Sequence, residues 1–349
     1  SWPMNIITLT AEHKSIAEYL PDGYTTAWYG KWHLGNDQVA QHGFDHWVTY
    51  EDDYTAFVDL DGEPLHSDYH NYLVAKGYKP DSYRARNLEQ VPPGVLRDIP
   101  DKWEVFSNEQ RSTFPAEDKM AHFLGREAAE FIREHRDEPF VLYVSTFEPH
   151  SPYNGPYNDL YDPASLPTGP AFLKRPVGGS LISRLRADAH LQLLEHGPSA
   201  SHDGHLDNDS DFNDISSEYG WRELRARYFA NVTLVDDMVG MITDALKEEG
   251  IFDDTVIAFT SEHGEMAGDH GMLEKRSMYE EASRVPLLIK IPWLNPGNDM
   301  VPGNFSQVDL VPTLLDLLGE QIPEHLDGSN KSDVFQNSNN LKNNDIFIQ

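Results

Sequence analysis

Apolar residues recur along the chain in two patterns, one typical of helices and one typical of buried strands. Helical spacing predicts four helices, near residues 12–20, 120–132, 228–246 and 308–318. Continuous apolar runs predict four buried strands, at residues 24–29, 140–144, 255–260 and 285–291. Helices that alternate with continuous apolar strands are typical of an α/β fold in which a mostly parallel sheet is sandwiched by helices.

The predicted elements form a single α/β domain over residues 1–349, and two long stretches interrupt it. Residues 36–115 and 151–220 lack sustained apolar spacing and are rich in Pro, Gly and Asp. Long irregular stretches on a compact scaffold are usually functional loops, so we expect substrate selectivity to reside there. The chain begins with Ser1 rather than Met and ends on an apolar run, so we expect the fold to be incomplete at both ends.

The net charge of the chain limits the classes of partner that it can bind. Acidic side chains outnumber basic ones, 58 to 27, and the formal net charge is -31. Such a surface repels nucleic acid and anionic lipid, so we expect neither a nucleic acid nor a membrane as partner. The chain has no cysteine, which excludes disulfides and thiolate metal sites within it. Any anion-binding site must therefore be built locally from a few clustered cations.

The first candidate motif is Gly30-Lys31-Trp32-His33-Leu34-Gly35, which follows the predicted strand at 24–29. Because side chains alternate along extended backbone, Lys31 and His33 are expected to point to the same face. An ammonium and an imidazole on one face suit an oxyanion of sulfur or phosphorus. The ordinary alternative is a surface lysine beside a capping histidine.

The second candidate motif is Phe147-Glu148-Pro149-His150-Ser151-Pro152, which follows the predicted strand at 140–144. Its prolines restrict the backbone around His150 and hold the imidazole in place. In open α/β sheets, ligands bind outside the carboxyl ends of the strands, where this segment is expected to lie. Taken alone, His150 is better explained as a structural histidine of a loop, and only its position beside the other motifs favours a functional role.

The third candidate motif is Ser261-Glu262-His263-Gly264-Glu265, directly after the predicted strand at 255–260. The carboxylate of Glu262 and the imidazole of His263 suit a divalent metal ion, and Lys275 can reach back to an anion on that metal. The alternative is a solvated loop, in which Lys275 simply pairs with its charged neighbours.

These three segments, in this order, resemble the motifs of the type I sulfatases of the alkaline-phosphatase superfamily. The resemblance covers nearly the whole chain outside the loop regions and extends to His42–Asp45, Tyr279–Glu281, Arg284–Pro286 and Val308–Thr313. One such segment can arise by chance, whereas three in order are specific. The resemblance implies an alkaline-phosphatase-like fold and the hydrolysis of sulfate esters.

The resemblance also implies a role for each matching side chain. Lys31 and Lys275 would bind the sulfate oxygens. His33 would contact the nucleophile and act as a base when the covalent intermediate breaks down. His150 would hydrogen-bond the ester and donate a proton to the leaving group. These roles combine charge stabilisation with acid–base catalysis.

The resemblance further implies a cofactor and a nucleophile. Glu262 and His263 would be two ligands of Ca²⁺ or another divalent cation such as Mn²⁺, although the family usually has Asp where Glu262 stands. The Cys-x-Pro-x-Arg segment, whose cysteine becomes formylglycine, does not occur in this sequence, and neither does the strand that ends in paired Asp ligands. Ser1-Trp2-Pro3 is similar to a serine version, but Asn5 replaces its Arg. We expect both segments to precede Ser1.

Three functions are compatible with these motifs. The leading one is hydrolysis of a sulfate ester of a small molecule or a carbohydrate, and members of the family are often exported to the periplasm or the cell exterior. A phosphodiester or phosphonate monoester hydrolase of the same superfamily would need the same cations and metal ligands. A non-catalytic protein that binds sulfated glycans would need the anion pocket alone.

Overall fold

The computed structural model describes residues 9–35, 37–50, 66–79, 83–84, 98–99, 114–197, 215–294, 300–335, 341 and 346. Its strands are β1 (Thr25–Gly30), β2 (His46–Val48), β3 (Tyr83–Arg84), β4 (Asp98–Ile99), β5 (Phe140–Ser145), β6 (Ile257–Thr260) and β7 (Leu287–Lys290). Its α-helices are α1 (Asp68–Ala75), α2 (Met120–His135), α3 (Leu181–His196), α4 (Glu218–Glu248), α5 (Glu280–Ser283) and α6 (Leu310–Leu317). Short 3₁₀ helices cover Ile16–Tyr19, Ala116–Asp118, Phe252–Asp254, Gln307–Asp309 and Ser332–Phe335.

The largest sheet is parallel and has the strand order β2–β1–β5. Across it, Trp47, Trp28 and Tyr143 occupy one register position, and the rings of Trp28 and Tyr143 stack with centroids 4.1 Å apart. Strands β6 and β7 form an antiparallel pair, as do β3 and β4. The predicted α/β fold with a mostly parallel sheet is confirmed. The strand predicted at 285–291 is also present as β7, but it pairs antiparallel with β6 in a separate two-stranded sheet.

Helices α2 and α4 pack against each other and cover one face of the parallel sheet. Gly125 allows their close approach, because a Cβ there would lie 2.7 Å from the sulfur of Met241. The buried side chains between sheet and helices include Ala27, Tyr29, Leu124, Phe131 and Leu234. The opposite face of β1 packs on a second buried group of Ala17, Trp32 and Phe44. Each large apolar side chain buried in these layers contributes about 1.5–3 kcal/mol.

Several predicted elements match the structure closely. The 3₁₀ helix Ile16–Tyr19 begins with a capping box formed by Ser15 and Glu18. Helix α2 follows the apolar pattern, and Pro312 lies in the first turn of α6, where its missing N–H breaks no hydrogen bond. Strand β5 lies where it was predicted, but none of its side chains is fully buried and Tyr143 is 42% exposed. Helix α4 begins at Glu218, earlier than expected, since the side chain of Ser217 caps it.

The interpretation of residues 36–115 and 151–220 as loops is wrong for five segments, β2, α1, β3, β4 and α3. In α3, Ala187 and Leu191 are buried, but Leu181, Ile182 and Leu185 are exposed, so apolar residues occur around the helix and obscure its period. Much of the rest of both regions lies outside the described residues, as do residues 1–8. That residues 1–349 form a single domain stays a prediction.

The strands β6 and β7 are less buried than continuous apolar runs predict. Phe259 in β6 is 37% exposed and Leu288 in β7 is 60% exposed, so one face of this pair is open among the described residues. Within the same ranges, no helix combines the length and the apolar character needed to cross a membrane.

Candidate active site

The end of β1 brings Lys31 to the site. Gly30 has φ +105°, and the N–H of Lys31 donates to the carbonyl of Ser145 at 2.8 Å. A Cβ at Gly30 would lie 2.0 Å from that carbonyl oxygen, so only glycine allows β1 to pass this close to the end of β5. The ammonium of Lys31 then lies 5.9 Å from the centre of the Phe147 ring in the second motif.

The backbone of the first motif differs from the sequence expectation. β1 ends at Gly30, and His33 adopts a left-handed conformation with φ 56°, so strand alternation does not explain how Lys31 and His33 face one site. The N–H of His33 donates to the carboxylate of buried Asp37 at 3.1 Å, which holds this turn. Nothing in the sequence pattern marks Asp37, because its contact depends on the turn itself.

Glu262 joins Lys31 to His263. Its Oε1 lies 2.9 Å from the Nζ of Lys31 and 2.9 Å from the Nε2 of His263. The contact with His263, and then the charge of Lys31, hold the pKa of Glu262 well below its usual range, although burial acts in the opposite direction. Glu262 is therefore ionised at neutral pH.

The tautomer of His263 decides which of its nitrogens can bind a ligand. Its Nδ1 lies 2.8 Å from the carbonyl oxygen of Gly264, which can only accept, so Nδ1 carries the hydrogen. The Nε2 atom lies 2.9 Å from the carboxylate of Glu262, so one cation could be bound by both residues. Metal-ligating histidines commonly donate their other N–H to a backbone carbonyl in this way.

These two residues supply only part of a coordination sphere. Among the described residues, no group of three or more His, Cys, Asp or Glu side chains is placed to hold a metal ion. Ca²⁺ takes about six to eight oxygen ligands, whereas this pair supplies the carboxylate of Glu262 and one nitrogen of His263, so any divalent cation bound here needs further ligands from elsewhere.

His150 contacts the second lysine of the site. The Nζ of Lys275 lies 2.8 Å from the Nε2 of His150, and the Nδ1 of His150 lies 2.8 Å from the carbonyl oxygen of Ser151. Nδ1 therefore carries the hydrogen, and Nε2 accepts one from the ammonium of Lys275. Burial and then the charge of Lys275 lower the pKa of His150 to about 4, so the ring is neutral at pH 7.

The two lysines place an excess of positive charge in an acidic protein. Burial and then the charge of Lys31 lower the pKa of His33, and burial lowers the pKa of Lys275, which Lys31 also lowers. The structure thus brings together the six side chains that the sequence singled out: Lys31, His33, His150, Glu262, His263 and Lys275. A site with two lysines and two neutral imidazoles suits a bound oxyanion.

Residues outside the motifs hold the loop of Glu262 in place. The side-chain amide of Gln307 donates to the carbonyl oxygens of Ser261 and Glu262 at 2.7 and 3.2 Å. A Cβ at Gly264 would lie 2.0 Å from the carbonyl oxygen of Glu281, so this position also requires glycine. No sequence signal identifies Gln307, because its contacts cross 46 and 45 positions of the chain.

Comparison with known proteins identifies the family of the chain. A profile of the sulfatase family matches residues 3–320. The chain belongs to the sulfatase family. Among curated relatives, the choline-sulfatase of Rhizobium meliloti (strain 1021) is 32% identical over 313 residues, which are 86% of this sulfatase chain and 51% of that protein. The N-acetylglucosamine-6-O-sulfatase of Bacteroides thetaiotaomicron is 26% identical, and the aligned part comprises 95% of this chain and 59% of that protein.

The chain therefore spans about half the length of these curated relatives. Solved structures show the same fold. The phosphonate monoester hydrolase of Silicibacter pomeroyi has a TM-score of 0.65 at 24% identity, covering 95% of this sulfatase chain and 63% of the other. A protein solved in complex with its substrate D-glucosamine-2-N,6-O-disulfate has a TM-score of 0.62 at 20% identity, covering 95% and 66%. At these identities the likeness establishes the fold alone.

The buried histidines of this sulfatase chain predict acid sensitivity. Burial lowers the pKa of His190, like that of His150, to about 4, and the charge of Arg186 adds to this effect. Between about pH 6.5 and pH 4 the unfolded chain binds more protons than the folded one. The free energy of unfolding therefore decreases as the pH is lowered through this range. We expect a loss of the order of 3 kcal/mol for each histidine, measured by urea denaturation at pH 7.5 and 4.5.

The matched variant for this measurement is His190→Gln, which removes one of the two titrating groups and leaves His150. Its free energy of unfolding should depend less steeply on pH than that of the wild type. Equal slopes for the two proteins would contradict the assignment of acid sensitivity to His190.

Proposed function

We propose that this chain binds a sulfate ester and takes part in its hydrolysis. The observation that carries the proposal is the convergence of Lys31 and Lys275 on one site, each in contact with a residue of another motif. In a protein with a net charge of -31, a local pair of partly buried lysines serves an anion. The curated relatives named above are sulfatases, which supports a sulfate ester rather than another anion.

In this proposal the lysines bind sulfate oxygens and the histidines transfer protons. The lowered pKa of His33 keeps its imidazole neutral at pH 7, so it can accept a proton as a base. His150 is also neutral before the ester binds. The negative charge of the ester offsets the charges of Lys31 and Lys275, which raises the pKa of His150, and its Nε2 then carries the proton that the leaving oxygen takes.

Glu262 and His263 would hold the divalent cation that sulfatases generally use. The ionised carboxylate and the neighbouring Nε2 of His263 would be two ligands of a divalent cation such as Ca²⁺ or Mn²⁺, and the bound ion would supply charge neutralisation at the sulfate. Because Glu262 also contacts Lys31, the same carboxylate would orient a sulfate-binding lysine.

We also propose that the formylglycine nucleophile and the paired Asp ligands lie outside these 349 residues. The sequence has no cysteine to convert, and the chain spans 51% of the choline-sulfatase to which it is similar. The substrate class that relatives favour is a small-molecule or carbohydrate sulfate ester, since their names include a choline-sulfatase and an N-acetylglucosamine-6-O-sulfatase.

The first test is genetic and chemical. We expect the coding sequence on the 5′ side of Ser1 to contain an in-frame Cys- or Ser-x-Pro-x-Arg segment. We expect the protein from the whole reading frame to hydrolyse 4-nitrophenyl sulfate faster than bis(4-nitrophenyl) phosphate, with activity lost on treatment with a chelator. A His150→Gln variant should lose activity by about 10²–10⁴-fold, the usual contribution of general acid–base catalysis.

Two other outcomes would overturn the proposal. Faster cleavage of the phosphodiester would assign the site to phosphodiester or phosphonate monoester hydrolysis. A stop codon before Ser1, together with sulfate binding and no turnover, would assign it to binding of sulfated glycans.

A further inference from the structure

Arg186 of helix α3 contacts the loop that carries Lys275. Its guanidinium donates to the carbonyl oxygens of Leu273 at 3.0 Å, Lys275 at 2.7 Å and Arg276 at 3.1 Å. The side chain is only 22% exposed, and the carboxylate of Glu274 lies no nearer than 3.9 Å. Its hydrogen bonds in the structure are therefore made to the backbone on both sides of Lys275 and not to a carboxylate.

The backbone around Lys275 is in an unfavourable conformation. Glu274 has φ 62° and Arg276 has φ 71°, so residues with side chains occupy the left-handed region on either side of the lysine. This conformation costs roughly 1–2 kcal/mol for each L-residue other than glycine. Such turns persist only where the surrounding structure holds them, and they cluster at functional sites.

The turn is held from two directions. On one side, the carboxylate of half-buried Glu265 accepts the N–H of Glu274 at 2.6 Å. On the other side, Arg186 donates to the carbonyl oxygens of Lys275 and of the left-handed residue Arg276. Between these contacts, the side chain of Lys275 extends to the Nε2 of His150 at 2.8 Å.

We propose that Arg186 is a positioning residue, which holds the strained turn at Glu274–Arg276 so that the ammonium of Lys275 meets His150 at the anion site. The inference rests on the proposed function, because the anion site is where Lys275 would act. Lysine cannot replace Arg186 fully, since a single ammonium does not match the planar guanidinium that spans three carbonyl oxygens.

The test uses the protein from the whole reading frame and two measurements. The first is the titration midpoint of His150, followed by NMR of the ring Cε1–H and assigned by the signal lost in His150→Gln. The second is the affinity for inorganic sulfate, measured by calorimetry. The variants are Arg186→Gln and Arg186→Lys, and the control is Arg184→Gln, which changes an exposed arginine of the same helix.

We expect Arg186→Gln to raise the titration midpoint of His150 by about one pH unit, because the ammonium of Lys275 is no longer held beside the Nε2 of His150. Sulfate affinity should fall about tenfold. Arg186→Lys should give intermediate values, and Arg184→Gln should match the wild type. In a Lys275→Met background, Arg186→Gln should add no further shift, since the effect acts through Lys275.

The inference would be overturned if a folded Arg186→Gln variant kept the wild-type His150 midpoint and the wild-type sulfate affinity. It would also be overturned if Arg186→Gln shifted the His150 midpoint equally with and without the Lys275→Met change. If Arg186→Gln does not fold, Arg186→Lys decides the question by the same criteria. If the wild-type chain binds no sulfate, the proposed function fails, whereas the His150 midpoint still tests whether Arg186 positions Lys275.

Discussion

Replacing Gly30 with alanine is expected to destabilise the protein by about 3 kcal/mol or more. A residue with a side chain is unfavourable at φ +105°, and its Cβ would lie 2.0 Å from the carbonyl oxygen of Ser145. The overlap involves backbone on both sides, so β1 and β5 must separate to relieve it. Urea denaturation of Gly30→Ala against the wild type measures this loss.

Gly23→Ala is the matched control for this variant. Gly23 has nearly the same φ, +107°, but nothing lies within 4 Å of its Cβ position. Its replacement should cost only about 1–2 kcal/mol, the conformational part of the effect. If both variants lost the same stability, the close approach of β1 to Ser145 would not be the reason that Gly30 is required.

Replacing Lys31 with methionine is expected to weaken binding of inorganic sulfate by about 10- to 100-fold, because a hydrogen bond to a charged group contributes about 1.5–3 kcal/mol. The buried part of the side chain is largely kept, so the change removes mainly the charge. Its removal should also raise the pKa values of His33 and His150, which Lys31 lowers. Calorimetry measures the affinity, and NMR of the histidine rings measures the two pKa values.

Lys174→Met is the control for the effect of removing one positive charge from the protein as a whole. Lys174 is exposed and lies outside the site, so its replacement changes the net charge equally and should leave sulfate binding at the wild-type level. Wild-type affinity in a folded Lys31→Met variant would remove Lys31 from the anion site.

Local apolar spacing was sufficient to predict the elements whose burial follows one period. Helix α2 is of this kind, because one stripe of its apolar residues faces the core. Helix α3 has buried and exposed apolar residues around its axis, so its pattern contains no single period. The antiparallel pairing of β7 was also not predicted, since strand direction depends on the path of the chain between strands.

Some features of the candidate site could likewise be predicted from the sequence and others could not. The motifs around Lys31, His150 and Glu262 were recognisable because each is a short segment after a predicted strand. The turn at His33 and the hydrogen bonds from Gln307 and Arg186 were not, because they depend on left-handed backbone and on partners far along the chain.

The sequence by itself determined the α/β class, the family and the side chains that meet at the site, since these depend on local period and on motifs. Only the tertiary structure decided which atoms meet: Lys31 with Glu262, and Lys275 with His150, across 231 and 125 positions of the chain. The tautomers of His150 and His263 follow from carbonyl oxygens beside them. Charge and protonation at a site depend on burial and on distances of a few ångströms, which only folding sets.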